Sequence, residues 1–428
     1  MDLIIRNAHL PDGRKDLDIG VVGAHIVAVE PRLAATAPTE IDATGQLLSP
    51  AFVDAHFHLD ATLTLGLPRR NQSGTLLEGI ALWGELKPTL TSDAIIERAL
   101  RYCDLAVARG LLAIRSHVDI CDDRLLAVQA LLTVKKRVAP YLDLQLVAFP
   151  QDGFYRSPTA EQNLLRALDL GVEVVGGIPH FERSMAAGAA SVRRLCEIAA
   201  DRGLLVDMHC DETDDPLSRH IETLAAETKR LHLEGRVTGS HLTSMHSMDN
   251  YYVSKLLPLI ADSGVAAIAN PLINITLQGR HDSYPKRRGM TRVPELLAAG
   301  VNVAFGHDCV MDPWYAFGSA DMLEVAHMAV HVAQMTSESA IGQCYQAITS
   351  NAAEILHLPD YGLAPGCRAD MVILQAADCF EAIRLKANRR WVIKGGRVIA
   401  ESPPQLSLLH LPGRAAMLDF SAIQPPSA

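Results

Sequence analysis

Eight short apolar runs, separated by longer segments with helical spacing, most constrain what this chain can fold into. The runs have the length and composition of buried strands, and the segments between them repeat Leu, Ile, Val and Ala at helical intervals. This alternation predicts an α/β fold, and eight repeats predict a (β/α)8 barrel of the TIM type. The runs cover residues 47–56, 111–117, 144–149, 172–178, 204–209, 236–241, 265–270 and 301–307.

Strand-like runs also occur at both ends of the chain, outside the barrel repeats. Residues 3–5 and 19–22 form such runs near the start, and residues 369–374, 391–393 and 397–400 near the end. Two β-rich ends that flank a different middle predict a small β-sandwich domain built by both termini. The predicted divisions are 1–48 for the N-terminal part of this domain, 49–360 for the barrel, and 361–428 for the C-terminal part and tail.

Composition narrows the class of protein. The net charge of −10 excludes a general nucleic-acid binder, because phosphate contacts need clustered Lys and Arg. No apolar run approaches ~18 residues, so no membrane-spanning helix is expected, and the start of the chain has no secretory pattern. The eight cysteines lie apart without a CxxC pair, which indicates reduced thiols in a cytoplasmic protein.

Polar residues fall repeatedly at the ends of the apolar runs. In a TIM-type barrel, the C-terminal ends of the strands meet at one rim and carry the active site. A single histidine at such a place would mean little, but a repeated pattern is hard to explain by packing. The residues at or just after the run ends are His56, His58, His117, Gln151, His180, His209, His241 and Asp308.

Four of these residues form a candidate metal site. His56 and His58 are two residues apart, so on an extended strand they share a face and can reach one ion. His209 adds a third nitrogen and Asp308 adds a carboxylate. This set suits one divalent metal ion, Zn²⁺ or Fe²⁺, and leaves positions open for water. The alternative for an isolated HxH pair is two ordinary, partly exposed histidines.

Two further residues can move protons at such a site. Glu212 follows His209 by three residues, so a turn could bring its carboxylate over the attacking water. His241 could polarise or deprotonate that water. The alternatives are an exposed loop acid for Glu212 and a hydrogen-bonded core histidine for His241. Structural or supporting roles are expected for His117 and His180. Solvent exposure is expected for Asp211, Asp214 and Asp215.

The order of an HxH pair, a fifth-strand His, a sixth-strand His and an eighth-strand Asp resembles the amidohydrolase superfamily. Several stretches are more narrowly similar to the bacterial cytosine deaminases of that superfamily. The resemblance covers nearly the whole barrel and is weaker in the terminal β segments. The matching stretches are residues 71–76, 147–151, 178–182, 209–212, 284–289 and 306–308.

The resemblance implies a hydrolase that removes the exocyclic amine of a free pyrimidine base. Glu212 would contact and protonate N3, while His241 would hydrogen-bond the attacking hydroxide. Asp308 and His241 would then pass a proton to the amine, which leaves as ammonia. The implied metal ligands are His56, His58, His209 and Asp308.

The resemblance also implies how the base is held. Gln151 and the backbone of Leu76 would read the amide edge of the pyrimidine, and Phe149 and Trp314 would form walls of the pocket. The implied partner is a small-molecule nucleobase, without nucleic acid or membrane. The family resemblance further implies a homo-oligomer.

Cys309 departs from the family pattern. The cytosine deaminases carry a second Asp directly after the metal-binding one, near the C5 edge of the base, and here that residue is Cys309. A carboxylate resists burial under a methyl group, whereas cysteine is neutral and behaves as a small hydrophobe. We therefore hypothesise that 5-methylcytosine, which gives thymine, is preferred over cytosine, which gives uracil. The alternative is that Cys309 merely fills space.

Other functions fit the same residues. Isocytosine, isoguanine or an aminotriazine also presents an amidine carbon to the same hydrolytic mechanism. From a different class, the chain could be a non-catalytic barrel that binds ligands. Loss of a metal ligand or of Glu212 would favour that reading, and none of these residues is missing.

Overall fold

The computed structural model describes residues 1–422. In this part of the chain the strands are β1 (Leu3–Ala8), β2 (Leu17–Val22), β3 (His25–Glu30), β4 (Thr39–Asp42), β5 (Leu47–Pro50), β6 (Phe52–Phe57), β7 (Leu111–Asp119), β8 (Asp143–Phe149), β9 (Val174–Gly177), β10 (Leu205–Cys210), β11 (Val237–His241), β12 (Ala266–Ala269), β13 (Val303–Phe305), β14 (Met371–Leu374), β15 (Arg389–Lys394), β16 (Arg397–Glu401), β17 (Ser407–Leu408) and β18 (Met417–Leu418).

The α-helices of the same residues are α1 (Leu76–Leu86), α2 (Ser92–Ala108), α3 (Leu126–Val138), α4 (Ala160–Asp169), α5 (Met185–Arg202), α6 (His220–Leu231), α7 (Asn250–Ser263), α8 (Pro271–Leu277), α9 (Val293–Ala298), α10 (Met322–Val332), α11 (Glu338–Ala347), α12 (Ser350–Ile355) and α13 (Cys379–Leu385). Short 3-10 helices lie at Lys87–Thr89, Pro179–Phe181, Thr243–Ser247 and Phe420–Ala422.

Strands β6 to β13 form one eight-stranded sheet in chain order, with every neighbouring pair parallel. A parallel bridge between Phe57 and Asp308 joins the last strand to the first. Each of the eight predicted runs overlaps one of these strands, and helices lie between them. The predicted (β/α)8 barrel is therefore confirmed, with its strand C-terminal ends at one rim.

The first predicted run, residues 47–56, is not one strand. β5 pairs antiparallel with β14 in a small sheet, whereas β6 is the first strand of the barrel. Between them the backbone N–H of Ala51 donates to the carbonyl of Asp370. Sequence reasoning missed this break because both strands are almost wholly buried, so the apolar run continues across the junction.

The terminal segments build two further four-stranded sheets. One has the order β3-β2-β1-β4, and the other has the order β16-β15-β14-β5. They share a core that includes Ile5, Ile19, Leu48, Met371 and Ile393. This confirms the predicted small β-sandwich formed by both ends of the chain. The boundaries at residues 48 and 360 stay predictions.

A polar layer fills part of the barrel interior. The Arg115 guanidinium donates to Asp207 at 3.0 Å, to the Gln145 side chain at 2.7 Å and to the Ile355 carbonyl at 2.8 Å. Asp207 also accepts from the Ser240 hydroxyl at 2.6 Å. Every member is paired, as a buried charge requires.

Two further predictions from the sequence are that no helix spans a membrane and that the cysteines are reduced. No helix within residues 1–422 combines the length and apolarity needed to cross a lipid bilayer. All eight cysteines are free thiols. The cytoplasmic location and the homo-oligomer stay predictions.

Candidate active site

The barrel brings four candidate ligands together at the C-terminal rim. His56, His209 and His241 lie at the ends of β6, β10 and β11, and Asp308 follows β13. One nitrogen or oxygen atom of each lies within 4.8 Å of those of the others, and all four side chains are buried. The parallel strands thus place residues that are far apart in sequence around one point.

His58 adjoins the same cluster. Its Nε2 atom is 3.0 Å from His209 Nε2 and 3.3 Å from Asp308 Oδ1. His56 Nε2 also lies 3.3 Å from Asp308 Oδ1. The four-residue cluster contains His241, whereas the sequence assigned His58 as the fourth ligand. The assignment of His58 therefore stays a prediction.

The atoms of this cluster fit a cation. Both ring nitrogens of His56, Nδ1 of His209 and Oδ1 of Asp308 are buried without a hydrogen-bond partner among residues 1–422. Leaving such atoms unpaired costs about 1–3 kcal/mol each, so native proteins rarely do it. Three imidazoles and one carboxylate form a ligand set typical of Zn²⁺ or Fe²⁺. The structure thus contains a metal site of three histidines and one aspartate, in which the third histidine beside His56 and His209 is either His58 or His241.

Two residues of the cluster, and Asp211 beside it, have a left-handed backbone conformation. His241 has φ of 73°, Asp308 has φ of 69° and Asp211 has φ of 55°. Residues other than glycine seldom adopt this conformation, and it is concentrated at functional sites. Each of the three lies where a strand ends and the chain turns over the rim.

A pocket opens directly onto the metal site. It contains every predicted substrate-binding residue except Phe149, whose ring instead stacks on His209 at 4.0 Å between centroids. The role of Phe149 as a pocket wall stays a prediction. The lining residues are His58, Leu76, Gln151, Ile178, His209, Glu212, Ile273, Leu277, Asp308, Cys309 and Trp314. Sequence reasoning missed Ile178, Ile273 and Leu277, because apolar residues in loops and helices carry no chemical signal.

Glu212 is buried in this pocket and is only 4% exposed. The alternative of an exposed loop acid is therefore wrong. Burial raises the pKa of Glu212 well above its ordinary value, and the nearby negative charge of Asp308 adds to this shift. A raised pKa favours the protonated carboxyl group, which is the form that can give a proton to a substrate.

Asp211 corrects another expectation. It was predicted to be exposed, yet it is fully buried. Its carboxylate accepts from the Ser218 hydroxyl and from His220 Nδ1, both at 2.7 Å, and from the backbone N–H of Ile221 at 2.9 Å. It thereby caps the start of α6. Asp215 is exposed as expected, and Asp214 is half-buried.

His117 and His180 lie behind the cluster. The His117 ring is 4.1 Å from that of His56 between centroids, and its pKa is lowered chiefly by burial. His180 Nδ1 lies 3.1 Å from the carbonyl oxygen of His209, and burial lowers its pKa to about 4. Both positions suit neutral imidazoles that support the ligands, and their supporting roles stay predictions.

Helix α1 closes one side of the pocket through a close contact with Trp314. A Cβ atom at Gly79 would lie 2.3 Å from Trp314 Cδ1, so only glycine lets the indole rest against the helix. Trp83 lies one turn further along the same face of α1, with its ring centroid 6.1 Å from that of Trp314. Gly79 was not identified from the sequence, because a glycine within a helical pattern gives no indication of its distant neighbour.

A (β/α)8 barrel with a His/Asp metal site at its C-terminal rim defines the class of metal-dependent barrel hydrolases. Residues 39–400 match the Amidohydrolase family, and the chain belongs to this family. The N-isopropylammelide isopropyl amidohydrolase of Pseudomonas sp. (strain ADP) is 31% identical over 408 residues, which cover 94% of this chain and 97% of that protein. The pterin deaminase of Rhizobium rhizogenes is 29% identical, over 92% of this chain and 90% of that protein.

A solved structure is similar to this chain in both fold and sequence. The 5-methylcytosine deaminase of Klebsiella pneumoniae, liganded with 5-fluorocytosine, is 41% identical with a TM-score of 0.91. The match covers 94% of this chain and 98% of that one. The predicted resemblance to the cytosine deaminases is confirmed. The chain is a deaminase-type hydrolase that acts on a C–N bond of a cyclic amidine, so the non-catalytic alternative is wrong.

Proposed function

We propose that this enzyme deaminates free 5-methylcytosine to thymine, with cytosine as a poorer substrate. The observation that carries the proposal is a buried cysteine in the pocket, Cys309, directly after Asp308. The likeness to the Klebsiella 5-methylcytosine deaminase over nearly the whole chain supports the same substrate class.

The proposed metal ligands are His56, His58, His209 and Asp308. When bound there, Zn²⁺ or Fe²⁺ would supply a Lewis acid that lowers the pKa of water to near neutrality. The four side chains contribute three neutral nitrogens and one negative charge, so a divalent cation leaves the site with a net positive charge that favours an anionic nucleophile.

Gln151 is proposed to orient the base. Within residues 1–422 its side-chain amide has no hydrogen-bond partner, although the residue is buried in the pocket. An amide can donate to a ring carbonyl and accept from a ring N–H, which matches the amide edge of a pyrimidine. Leu76 is the first residue of α1, where backbone N–H groups lack partners within the helix.

The proton transfers follow from the buried acids. Glu212 gives its proton to N3 as the water oxygen bonds to C4, so negative charge does not build up on the ring. Asp308 takes one proton from the water and passes it to the amine, and His241 hydrogen-bonds the same oxygen. The C4–N bond then breaks and ammonia leaves. The remaining hydroxyl proton restores Glu212, and a carbonyl is left at C4.

Cys309 presents a neutral surface to the base. It is 3% exposed, and burial raises the pKa of its thiol well above the ordinary value. Behind it lies Asp312, whose carboxylate accepts the backbone N–H groups of Trp314 and Tyr315, both at 2.9 Å. A polarisable thiol beside an indole suits a methyl group, whereas a charged residue would not.

The first prediction concerns substrate preference. We expect kcat/KM for 5-methylcytosine to exceed that for cytosine by about 10–200-fold, which is the range that one methyl group in an apolar pocket can provide. Ammonia release from purified, metal-loaded protein with 5-methylcytosine, cytosine, isoguanine and ammelide measures this ratio. If only a purine or a triazine reacts, the substrate proposal is wrong, although the hydrolase class stands.

The second prediction tests Cys309 itself. Cys309→Asp should move the preference toward cytosine by at least about tenfold. Cys309→Ser is the matched control, because it keeps the size and neutrality of the side chain and should move the ratio less. Asp308 and Asp312 already lie next to this position, so folding of the Asp variant is checked by its melting temperature. An unchanged substrate ratio in a folded Cys309→Asp variant contradicts the methyl-pocket proposal.

The third prediction concerns Gly79. Gly79→Ala should displace the Trp314 indole toward the base and raise KM for 5-methylcytosine by about tenfold, a binding loss within the 1–3 kcal/mol of an overpacked site. Gly84→Ala, in the same helix at a position with open space, is the control and should leave KM unchanged. Steady-state kinetics and tryptophan fluorescence measure the two effects. Equal KM values in both variants would show that Gly79 is not needed to hold the Trp314 indole in place for substrate binding.

A further inference from the structure

The hydrogen bonds of Asn274 determine which ring nitrogen of His241 carries the proton. Asn274 is fully buried in α8 beside His241. Its Oδ1 atom accepts the backbone N–H of Asn270 at 3.1 Å. A backbone N–H can only donate, so the amide oxygen must face Asn270 and the NH2 group must face the other way. That NH2 group lies 3.0 Å from His241 Nδ1.

His241 Nδ1 must therefore be an acceptor. A neutral imidazole has one N–H and one lone pair, so a lone pair on Nδ1 places the proton on Nε2. Asn270 Nδ2 lies almost equally far from the two ring nitrogens, at 3.2 Å from Nδ1 and 3.3 Å from Nε2, so it does not favour either tautomer. Glu212 Oε1 is 3.5 Å from Nδ1, too far for a well-formed hydrogen bond.

This arrangement is the reverse of that at a metal-binding histidine. Such a histidine binds the metal with one nitrogen and donates the N–H of the other to a carboxylate or a carbonyl. His241 instead receives an N–H on Nδ1, so the lone pair of Nδ1 is engaged and Nε2 carries the proton. A protonated nitrogen cannot bind a cation, nor can it accept a proton from water.

We propose that Asn274 is a positioning residue that keeps the proton of His241 on Nε2, so that His241 acts at the site as a hydrogen-bond donor and is neither a metal ligand nor a base. The donor would stabilise the oxygen that bonds to C4, and removal of the water proton would fall to Asp308. The proposal deepens the proposed deaminase function and rests on it for its catalytic part alone.

Asn274→Asp tests this tautomer almost isosterically. One carboxylate oxygen keeps the bond from Asn270, and the other replaces the NH2 group with an acceptor. The proton of His241 should then move to Nδ1. In metal-loaded protein with 15N-labelled histidine, two-bond 1H–15N correlations distinguish the tautomers, and a His241→Asn variant identifies the signal. We expect an Nε2–H form in the natural protein and an Nδ1–H form in Asn274→Asp.

Metal content and activity give two further measurements. His241→Asn should retain its metal, whereas His58→Asn should lose it. Asn274→Asp should lose about 10²–10³-fold in kcat, the effect of removing one donor to a developing oxyanion. Asn351→Asp is the control, because it also removes an amide donor, here to the carbonyl of Val303 at 3.0 Å, and it should keep full activity.

Two results would overturn the proposal: an Nδ1–H tautomer in the natural protein, or loss of metal from His241→Asn. Neither depends on the substrate. If the natural protein deaminates no pyrimidine while the tautomer and metal content are as expected, only the proposed function fails.

Discussion

Replacing Glu212 with Gln should lower kcat for deamination by about 10²–10⁴-fold, the usual contribution of a positioned general acid. The amide keeps the size and the hydrogen-bonding reach of the side chain but cannot deliver a proton to N3. The ring would then carry negative charge as C4 is attacked. Because glutamine still occupies the pocket wall, KM should change much less than kcat. Steady-state kinetics with 5-methylcytosine separate the two effects.

Glu227→Gln is the matched control for this experiment. Glu227 is also a buried acid, but it lies on α6 and pairs with Arg230 on the surface of the barrel. Its replacement should leave kcat unchanged. A Glu212→Gln enzyme that is folded, metal-loaded and still fully active would show that another group protonates the base.

Arg115→Met should lower the free energy of unfolding by about 3–5 kcal/mol, because it leaves Asp207 as an uncompensated charge inside the barrel. Both side chains are 1% exposed or less. The substitution also leaves the Gln145 side chain and the Ile355 carbonyl without their donor. Methionine fills a similar space, so the loss reports the unpaired polar groups more than a cavity. Urea unfolding, or the melting temperature where refolding is incomplete, measures the effect.

Two variants separate charge pairing from packing in this layer. The double variant Arg115→Met with Asp207→Leu should recover part of the loss, because it removes both charges. Arg202→Met, which breaks the exposed pair with Asp169, should change stability by less than about 1 kcal/mol. If Arg115→Met were no more harmful than Arg202→Met, the buried layer would not be needed for barrel stability.

The candidate site shows how far reasoning from the sequence reaches. His56, His58, His209 and Asp308 were identified from their places at the ends of apolar runs, and the structure brings them together. This worked because parallel strands in a barrel must all end at one rim, so position along a strand translates directly into position in space. Glu212 was identified in the same way from its distance to a strand end.

Residues that depend on distant partners were missed or misjudged. Asp211 was expected to be exposed, yet the turn after β10 directs its carboxylate onto the start of α6. The break between β5 and β6 was hidden because both strands are buried. Gly79 gives no sign of its contact with Trp314, which is more than two hundred residues away in the chain.

The sequence by itself determined the alternation of strands and helices, the residues at the strand ends and the chemical class of the site. These follow from periodicity and chain order, which are local properties. Only the tertiary structure decided which acids are buried, that β5 joins the small domain rather than the barrel, and that the amide of Asn274 faces His241. Burial and hydrogen-bond direction depend on atoms from segments that meet only after folding, and no local pattern specifies them.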